Sequence, residues 1–191
     1  MRSYTLKRDT KETKIELSLD LDGKGEYKID TGVGFLNHML ELFASHSGYD
    51  LDIKCKGDVE VDCHHTTEDI GIALGTAFKN ALGDKRGIAR FADRIIPMDE
   101  VVCQGAVDIS GRAFLNFDSP IDGKCGEFDM ELIEEFMRAF AFNAGINVYL
   151  SLIKRGNRHH EAEAMFKCLA RCLRDATKIV DDKIPSSKGV L

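Results

Sequence analysis

The chain contains 191 residues, of which 43% are hydrophobic and 30% are charged, which is ordinary for a globular protein in water. Its formal net charge of −6 excludes an overall basic surface of the kind that binds nucleic acid or anionic membranes. The length allows one sizeable core or two small units packed on each other. Neither a membrane-spanning run nor a targeting sequence stands out, and the six cysteines form no CxxC pair, so we expect reduced thiols and a cytoplasmic location.

The first half of the chain predicts strands and helices in a fixed order. Residues 14–21 (KIELSLDL) alternate apolar and polar side chains, which is typical of a half-buried strand. GEYKID predicts a second strand, and GFLNHMLELFASHS predicts a helix with one apolar face. YDLDIKC then predicts a third strand, after which a second helix begins at His64.

From about residue 86 the same order recurs. VVCQGAVDIS and RAFLNF are predicted to pair as a hairpin, and MELIEEFMRAFAFNAG is the matching helix. INVYLSLI is the returning strand, and the last helix opens at His159. Each half therefore predicts a ββαβα unit with its helices on one face of the sheet, and the whole predicts an α+β two-layer sandwich with repeats at residues 1–86 and 87–191.

A short HHxxE segment opens the last helix of each repeat, as HHTTE at 64–68 and HHEAE at 159–163. Within a helix the first histidine and the glutamate are four residues apart and share one face, so each pair can hold one metal ion. The adjacent histidine is rotated by about 100° and is free to serve a second ion. We therefore interpret the two segments as half-sites that each lend one imidazole to the other.

The duplication predicts a third ligand position in each repeat. Counting back ten positions from the glycines that should end the middle helices, Gly48 and Gly145, gives His38 and Glu135. Imidazole and carboxylate donors without thiolates favour six-coordinate Mn²⁺ or Fe²⁺ over structural zinc. The hypothesis assigns one ion to His64, Glu68, Glu135 and His160, and the other to His38, His65, His159 and Glu163.

Candidates for binding an anion lie in the second repeat and at its end. Arg90 and Arg112 flank the start of that repeat. The terminal Ser186, Ser187 and Lys188 can offer hydroxyl groups, backbone N–H groups and an ammonium to a phosphate.

Four segments in order resemble the imidazoleglycerol-phosphate dehydratase family in its monofunctional form. They are DTGVGFLNHMLELFASHSGYDL, DCHHTTEDIGIALG, RGNRHHEAEAMFKCLARCLR and IPSSKGVL. The resemblance implies a duplicated fold of the ribosomal-protein S5 domain 2 type. It also implies a homo-oligomer of 24 subunits built from trimers, with two Mn²⁺ ions per active site at subunit interfaces.

The same resemblance implies roles for individual residues. Some family members carry histidine at the position of Glu135, so either this carboxylate or a water is expected as the eighth ligand. The family's phosphate contacts fall on Arg90, Arg112, Ser186 or Ser187, and Lys188. Substrate-binding positions fall on Glu12, Asp99 and Lys167. Its metal positions fall on His38, His64, His65, Glu68, His159, His160 and Glu163.

The implied reaction removes water from imidazole glycerol phosphate to give imidazole acetol phosphate, in histidine biosynthesis. We expect Glu163 to transfer the proton, with Glu12 and Lys167 as further catalytic candidates. One alternative is a dinuclear metal hydrolase that acts on a small phosphate ester with a metal-activated water. Another is an assembly without catalysis, in which the histidines only join subunits through metal. No nucleic acid or membrane partner is expected.

Overall fold

The computed structural model describes residues 2–189 and 191 of the chain. The first repeat forms a four-stranded sheet in the order β1-β2-β4-β3, in which β3 pairs parallel with β4 and the other neighbours pair antiparallel. Its elements are β1 Ser3–Asp9, β2 Thr13–Asp20, β3 Tyr27–Asp30, α1 Gly34–Ser47, β4 Asp50–Gly57 and α2 His64–Leu82.

The second repeat forms a sheet with the equivalent order, β5-β6-β10-β7. A short two-stranded ribbon, β8 with β9, is inserted before its first helix. Its elements are β5 Phe91–Met98, β6 Val101–Asp108, β7 Phe114–Phe117, β8 Lys124–Cys125, β9 Phe128–Asp129, α3 Leu132–Ala144, β10 Asn147–Lys154 and α4 Arg158–Ala176.

The duplicated α+β architecture predicted from the sequence is confirmed, with one additional strand in the first half, β1, and three in the second, β5 and the short β8 and β9. The first strands, β1 and β5, were not predicted because apolar and polar side chains do not alternate clearly along them. In β1 only Leu6 and Arg8 are partly buried, and β5 contains Pro97. Both are edge strands, where a proline removes no hydrogen bond needed by a neighbour.

The predicted hairpin between VVCQGAVDIS and RAFLNF is wrong. These segments form β6 and β7, and β10 lies between them, antiparallel to β6 and parallel to β7. The same arrangement separates β2 from β3 by β4 in the first repeat. The second and third strands of each repeat are therefore consecutive in the chain but not adjacent in the sheet, because the strand that returns after the helix inserts between them.

The helices of the two repeats pack against each other across the molecule. Helix α1 contacts α4, and α3 contacts α2, while α2 and α4 each lie on the sheet of their own repeat. The α2–α3 contact is close because Gly71 and Gly75 present no side chain to α3. A Cβ at Gly75 would lie 2.5 Å from the carbonyl oxygen of Phe140.

The glycines predicted to end the middle helices have the same conformation in both repeats. Gly48 and Gly145 adopt positive φ angles of 76° and 68°, and their N–H groups donate to Ala44 O and Ala141 O. This left-handed cap is one that glycine forms without steric cost. His38 and Glu135 therefore occupy equivalent turns of α1 and α3.

The outer faces of the two sheets differ in character. Lys7, Glu16 and Lys54 are exposed on the first sheet. The second sheet exposes large apolar side chains instead, namely Phe91, Ile95, Phe114 and Ile153, each 57–61% exposed. Over residues 2–189 and 191, no helix is long and apolar enough to cross a membrane.

Candidate metal centre

The second HHxxE segment meets His38 where α1 crosses the start of α4. Glu163 Oε1 lies 3.0 Å from His159 Nε2 and 3.2 Å from His38 Nε2. Asn157 caps α4 by accepting a hydrogen bond from the backbone N–H of His159 at 2.9 Å. The three side chains present ligand atoms that all lie within 4.8 Å of one another, so they can bind one cation together.

Glu163 is buried and fully engaged. Its second oxygen, Oε2, accepts a hydrogen bond from Lys167 Nζ at 2.6 Å. Burial alone would raise the pKa of Glu163, but hydrogen bonds from Lys167 and His38 outweigh it and hold that pKa at about 2. The ring of Phe35 packs edge-on against His159 and stiffens this side of the group. Glu163 is therefore an ionised, fixed oxygen donor.

His160 is turned away from this group towards the β5–β6 turn. Its Nδ1 lies 2.9 Å from Glu100 Oε2, and its Nε2 lies 3.8 Å from Asp99 Oδ2. These three residues form a second set of potential ligands within 4.8 Å of one another. The backbone N–H of Asn157, together with His160, holds the pKa of Glu100 at about 2, and the contact with Glu100 raises the pKa of His160.

The first HHxxE segment repeats this layout at the start of α2. His64 Nε2 and Glu68 Oε2 are 3.6 Å apart, one helical turn from each other. His65 turns towards its own sheet, with Nδ1 2.9 Å from Asp58 Oδ2 and Nε2 3.9 Å from Glu12 Oε1. The hydrogen bond with Asp58 raises the pKa of His65. Glu12 and Asp99 thus hold equivalent places beside the second histidine of each segment.

A single chain does not assemble either complete set of four ligands. The group around Glu163 does not include His65, and the group around His160 does not include His64 or Glu68. Glu135 is half-buried on α3, the helix that packs against α2, but among the described residues it belongs to no three-membered ligand group. The predicted exchange of imidazoles is therefore absent within one chain.

The residues predicted to bind phosphate gather at the other end of the second repeat. Arg90 Nε lies 2.7 Å from Asp108 Oδ1, and its Nη1 donates to Pro185 O at 2.7 Å. This contact brings the terminal segment, with Ser186, Ser187 and Lys188, beside Arg90. Arg112 lies at the same end, since its carbonyl oxygen accepts from Asn147 at the start of β10.

These basic residues are far from the half-site of their own repeat. The backbone N–H of Arg90 donates to Ala176 O at the C-terminal end of α4, whereas His159 lies at its N-terminal end. A helix rises about 1.5 Å per residue, so the two ends are roughly 25 Å apart. Within one chain the two groups are therefore separated by nearly the whole length of α4.

Asp58 and Glu100 were missed by the sequence interpretation, although both contact a proposed ligand. Asp58 directly follows β4, and Glu100 lies in the turn between β5 and β6. The acidic pair Asp99-Glu100 could have indicated these contacts, but only if β5 had been predicted. Without β5, the sequence does not show that the two residues form a turn between paired strands.

Three comparisons relate the chain to proteins already described. A family model described as imidazoleglycerol-phosphate dehydratase matches residues 31–173. Proteins named imidazoleglycerol-phosphate dehydratase from Thermoanaerobacter sp. (strain X514) and Methylorubrum extorquens are 52% and 54% identical over 194 and 195 residues, and both alignments cover 100% of each chain.

Two solved structures have the same fold. The crystal structure of imidazoleglycerol-phosphate dehydratase from Staphylococcus aureus subsp. aureus N315 has a TM-score of 0.85 at 42% identity, covering 93% of this chain and 99% of that one. The Pyrococcus furiosus homologue, solved in complex with (S)-C348, has a TM-score of 0.84 at 35% identity, covering 97% of this chain and 100% of that one.

Proposed function

Since the chain belongs to the imidazoleglycerol-phosphate dehydratase family, a family of hydro-lyases in histidine biosynthesis, we propose that it dehydrates imidazole glycerol phosphate at a dinuclear Mn²⁺ centre. The product is imidazole acetol phosphate, with the phosphate retained. The proposed metal dependence rests on one observation: His38, His159 and Glu163, three potential metal ligands from two helices, lie together.

The donors present fit such an ion. Two imidazoles and one ionised carboxylate meet with ligand atoms within 4.8 Å of one another, and no thiolate belongs to the group. Imidazole and carboxylate ligands suit Mn²⁺ with positions left open for substrate. When bound, the ions would supply positive charge beside the imidazole ring and the diol of the substrate. The proposed ligands are His38, His64, His65, Glu68, Glu135, His159, His160 and Glu163.

A homo-oligomer completes the site in this proposal. Within one chain, Arg90 lies roughly 25 Å along α4 from His159, so a small substrate cannot contact both. A second copy can supply the missing half, and the apolar outer face of the second sheet offers a surface for contact between copies. We propose the 24-subunit assembly of trimers that the family resemblance implies.

Within that assembly the basic residues of one copy hold the phosphate next to the half-site of another. Arg90, Arg112 and Lys188 would pair with phosphate oxygens, and Ser186 and Ser187 would donate hydroxyl hydrogen bonds. Holding the phosphate fixes the imidazole end of the substrate beside the histidines. The buried thiols Cys103, Cys168 and Cys172 suit a reducing compartment, and we propose the cytoplasm.

The dehydration needs a base for the C–H proton and an acid for the departing hydroxyl group. Glu163 is assigned to proton transfer as the base, and Lys167, whose ammonium donates to its Oε2 at 2.6 Å, is a candidate acid that can give a proton to the departing hydroxyl group. Glu12 is the second acid or base, because its exposed side chain lies 3.9 Å from His65 Nε2. Asp99 has the equivalent position beside His160 and is assigned to substrate binding.

The proposal is tested by following product and phosphate with Mn²⁺-loaded enzyme. Imidazole glycerol phosphate should yield a ketone with its phosphate still attached, and Glu163→Gln should lower kcat by about 10²–10⁴-fold, the usual contribution of a general acid or base. Inorganic phosphate should still bind the variant, because Glu163 is not one of the residues proposed to hold the phosphate.

Glu26→Gln, an exposed carboxylate on the first repeat, is the matched control and should keep full activity. Release of inorganic phosphate would indicate a hydrolase instead. Full turnover by Glu163→Gln would remove Glu163 from proton transfer and leave Glu12 as the candidate base.

A further inference from the structure

Two carboxylates outside the proposed ligand set hold the second histidine of each HHxxE segment by the same ring nitrogen. Asp58 Oδ2 lies 2.9 Å from His65 Nδ1, and Glu100 Oε2 lies 2.9 Å from His160 Nδ1. We propose that Asp58 and Glu100 are positioning residues that fix His65 and His160 in the tautomer protonated at Nδ1, leaving Nε2 to bind a divalent cation. This inference rests on the proposed function.

The chemistry of the contact selects the tautomer. An ionised carboxylate only accepts hydrogen bonds, so the imidazole nitrogen that faces it must carry the proton. The other nitrogen then keeps its lone pair for a metal, an arrangement common among metal-binding histidines. In this chain Nε2 of His65 lies 3.9 Å from Glu12, and Nε2 of His160 lies 3.8 Å from Asp99. Both distances are too long for a hydrogen bond, so among the described residues the only hydrogen-bonded carboxylate of each ring is the one at Nδ1. The free lone pair of each Nε2 therefore points towards a carboxylate that could bind the same cation.

The two repeats reach this contact by different routes. In the first repeat, Asp58 lies in the long connection 58–63 between β4 and α2. The corresponding connection 155–157 is shorter, and its first residue, Arg155, pairs with Glu161 instead. Glu100 comes from the β5–β6 turn to take the same role. Because duplication would have copied a single partner, the same contact made from two unrelated positions indicates that the contact itself matters.

The second repeat leaves room for this carboxylate at Gly156. A Cβ at Gly156 would lie 2.4 Å from Glu100 Cγ, so any larger residue would push the Glu100 side chain aside. Glu100 Oε1 also accepts from the backbone N–H of Asn157 at 2.6 Å. Glu100 thus joins the start of α4 to the ring of His160, and Gly156 permits both contacts.

The first test measures metal binding. Titration of Mn²⁺ into the metal-free protein by calorimetry should show Asp58→Ala and Glu100→Ala each weakening one class of sites about 10–100-fold, the usual effect of removing a partner of a ligand histidine. Gly156→Ala should reproduce the effect of Glu100→Ala while both carboxylates remain. Matched controls are Glu60→Ala, an exposed carboxylate in the same connection as Asp58, and Gly34→Ala, where an added Cβ meets nothing within 4 Å.

The second test reads the tautomer without metal. In protein labelled with ¹⁵N-histidine, solid-state NMR at a pH where imidazole is neutral should assign the proton to Nδ1 of His65 and His160. Asp58→Ala should abolish this preference at His65 alone, and Asp58→Asn, which keeps a neutral acceptor, should restore it in part. This recovery separates positioning from a general loss of folding.

The outcomes distinguish this inference from the proposed function. If the unaltered protein binds no Mn²⁺, the metal-dependent function fails. If it binds Mn²⁺ and both alanine variants bind equally tightly, or both rings keep the Nδ1 proton after the carboxylate is removed, only the positioning role is overturned.

Discussion

Glu163 contacts three other side chains in the second half-site. One oxygen faces His38 and His159, and the other accepts from Lys167. Because both oxygens are engaged, the carboxylate cannot rotate freely, and the half-site is preorganised on two helices. This rigidity is what a metal ligand requires.

Away from the site, Asp175 connects the end of α4 to the second sheet. Lys178 Nζ lies 2.6 Å from Asp175 Oδ1, and Arg94 of β5 pairs with the other oxygen. Burial would raise the pKa of Asp175, but Lys178 and Arg94 outweigh it and lower that pKa below its usual value. The carboxylate therefore stabilises the folded state as long as it is ionised.

This shift predicts a pH dependence of stability. A depressed folded pKa contributes stability above the unfolded value of about 3.9 and loses it as pH falls through the folded value. The difference in unfolding free energy between the unaltered protein and Asp175→Asn should be constant near neutral pH and shrink below about pH 4. Urea unfolding of metal-free protein measures it, with the exposed Asp52→Asn as control. A difference independent of pH down to the acid transition would contradict the assignment.

Among individual residues, sequence reasoning predicted the HHxxE segments as ligands because helical spacing is local, and it predicted His38 because the repeat supplied its register. It missed Asp58 and Glu100 because each contact depends on a turn whose position follows from the fold. The metal role of Glu135 stays a prediction. Its position on α3 is equivalent to that of His38 on α1, yet among the described residues it joins no ligand group.

At the scale of elements, the close contact between α2 and α3 supports the first half-site. A Cβ at Gly71 would lie 2.9 Å from Phe136 O, and one at Gly75 would lie 2.5 Å from Phe140 O. Both obstacles are backbone atoms of α3, which cannot move without shifting the whole helix. The packing of α2, which begins at the HHxxE segment, against α3 therefore requires glycine at these two positions.

Gly75→Ala should separate α2 from α3 and destabilise the protein by about 1–3 kcal/mol, the usual cost of overpacking a core. It should also weaken Mn²⁺ binding through His64 and Glu68. Thermal and urea unfolding measure the first effect, and calorimetric titration measures the second. Thr76→Ala, a partly buried position on the same helix, is the control and should change stability little. An unchanged Tm for Gly75→Ala would show that the helices can part without cost.

The helices were predicted closely, whereas the neighbours within each sheet were not. Helical periodicity and the glycines Gly48 and Gly145 are local signals, and they defined α1 and α3 to within a few residues. Strand order depends on pairings between distant segments. The insertion of β4 and β10 at the centre of their sheets leaves no local trace in the sequence.

At the scale of the whole molecule, the contrast between the two sheets predicts which surface the proposed assembly would use. Charged side chains cover the outer face of the first sheet, where Lys7 and Glu16 pair at 2.6 Å. The second exposes Phe91, Ile95 and Phe114. An apolar sheet face of this kind is stable in water when another surface covers it, so the second sheet is the expected contact between copies.

Ile95→Asp should therefore reduce the size of the assembly, because it places a charge among the exposed apolar side chains of that face. Light scattering after size exclusion measures the mass with and without Mn²⁺. Lys54→Asp on the first sheet is the control and should leave the mass unchanged. A monomeric unaltered protein, or an unaffected Ile95→Asp assembly, would exclude the second sheet as the contact.

The most direct test of a site shared between copies is complementation between two inactive variants. In one chain Arg90 and His159 lie at opposite ends of α4, so Arg90→Ala and His159→Ala should each abolish dehydration when expressed alone. Co-expression should restore a measurable part of the activity, because an intact Arg90 from one copy then meets an intact His159 from another. Mixed assemblies that contain both variants yet remain inactive would contradict the account.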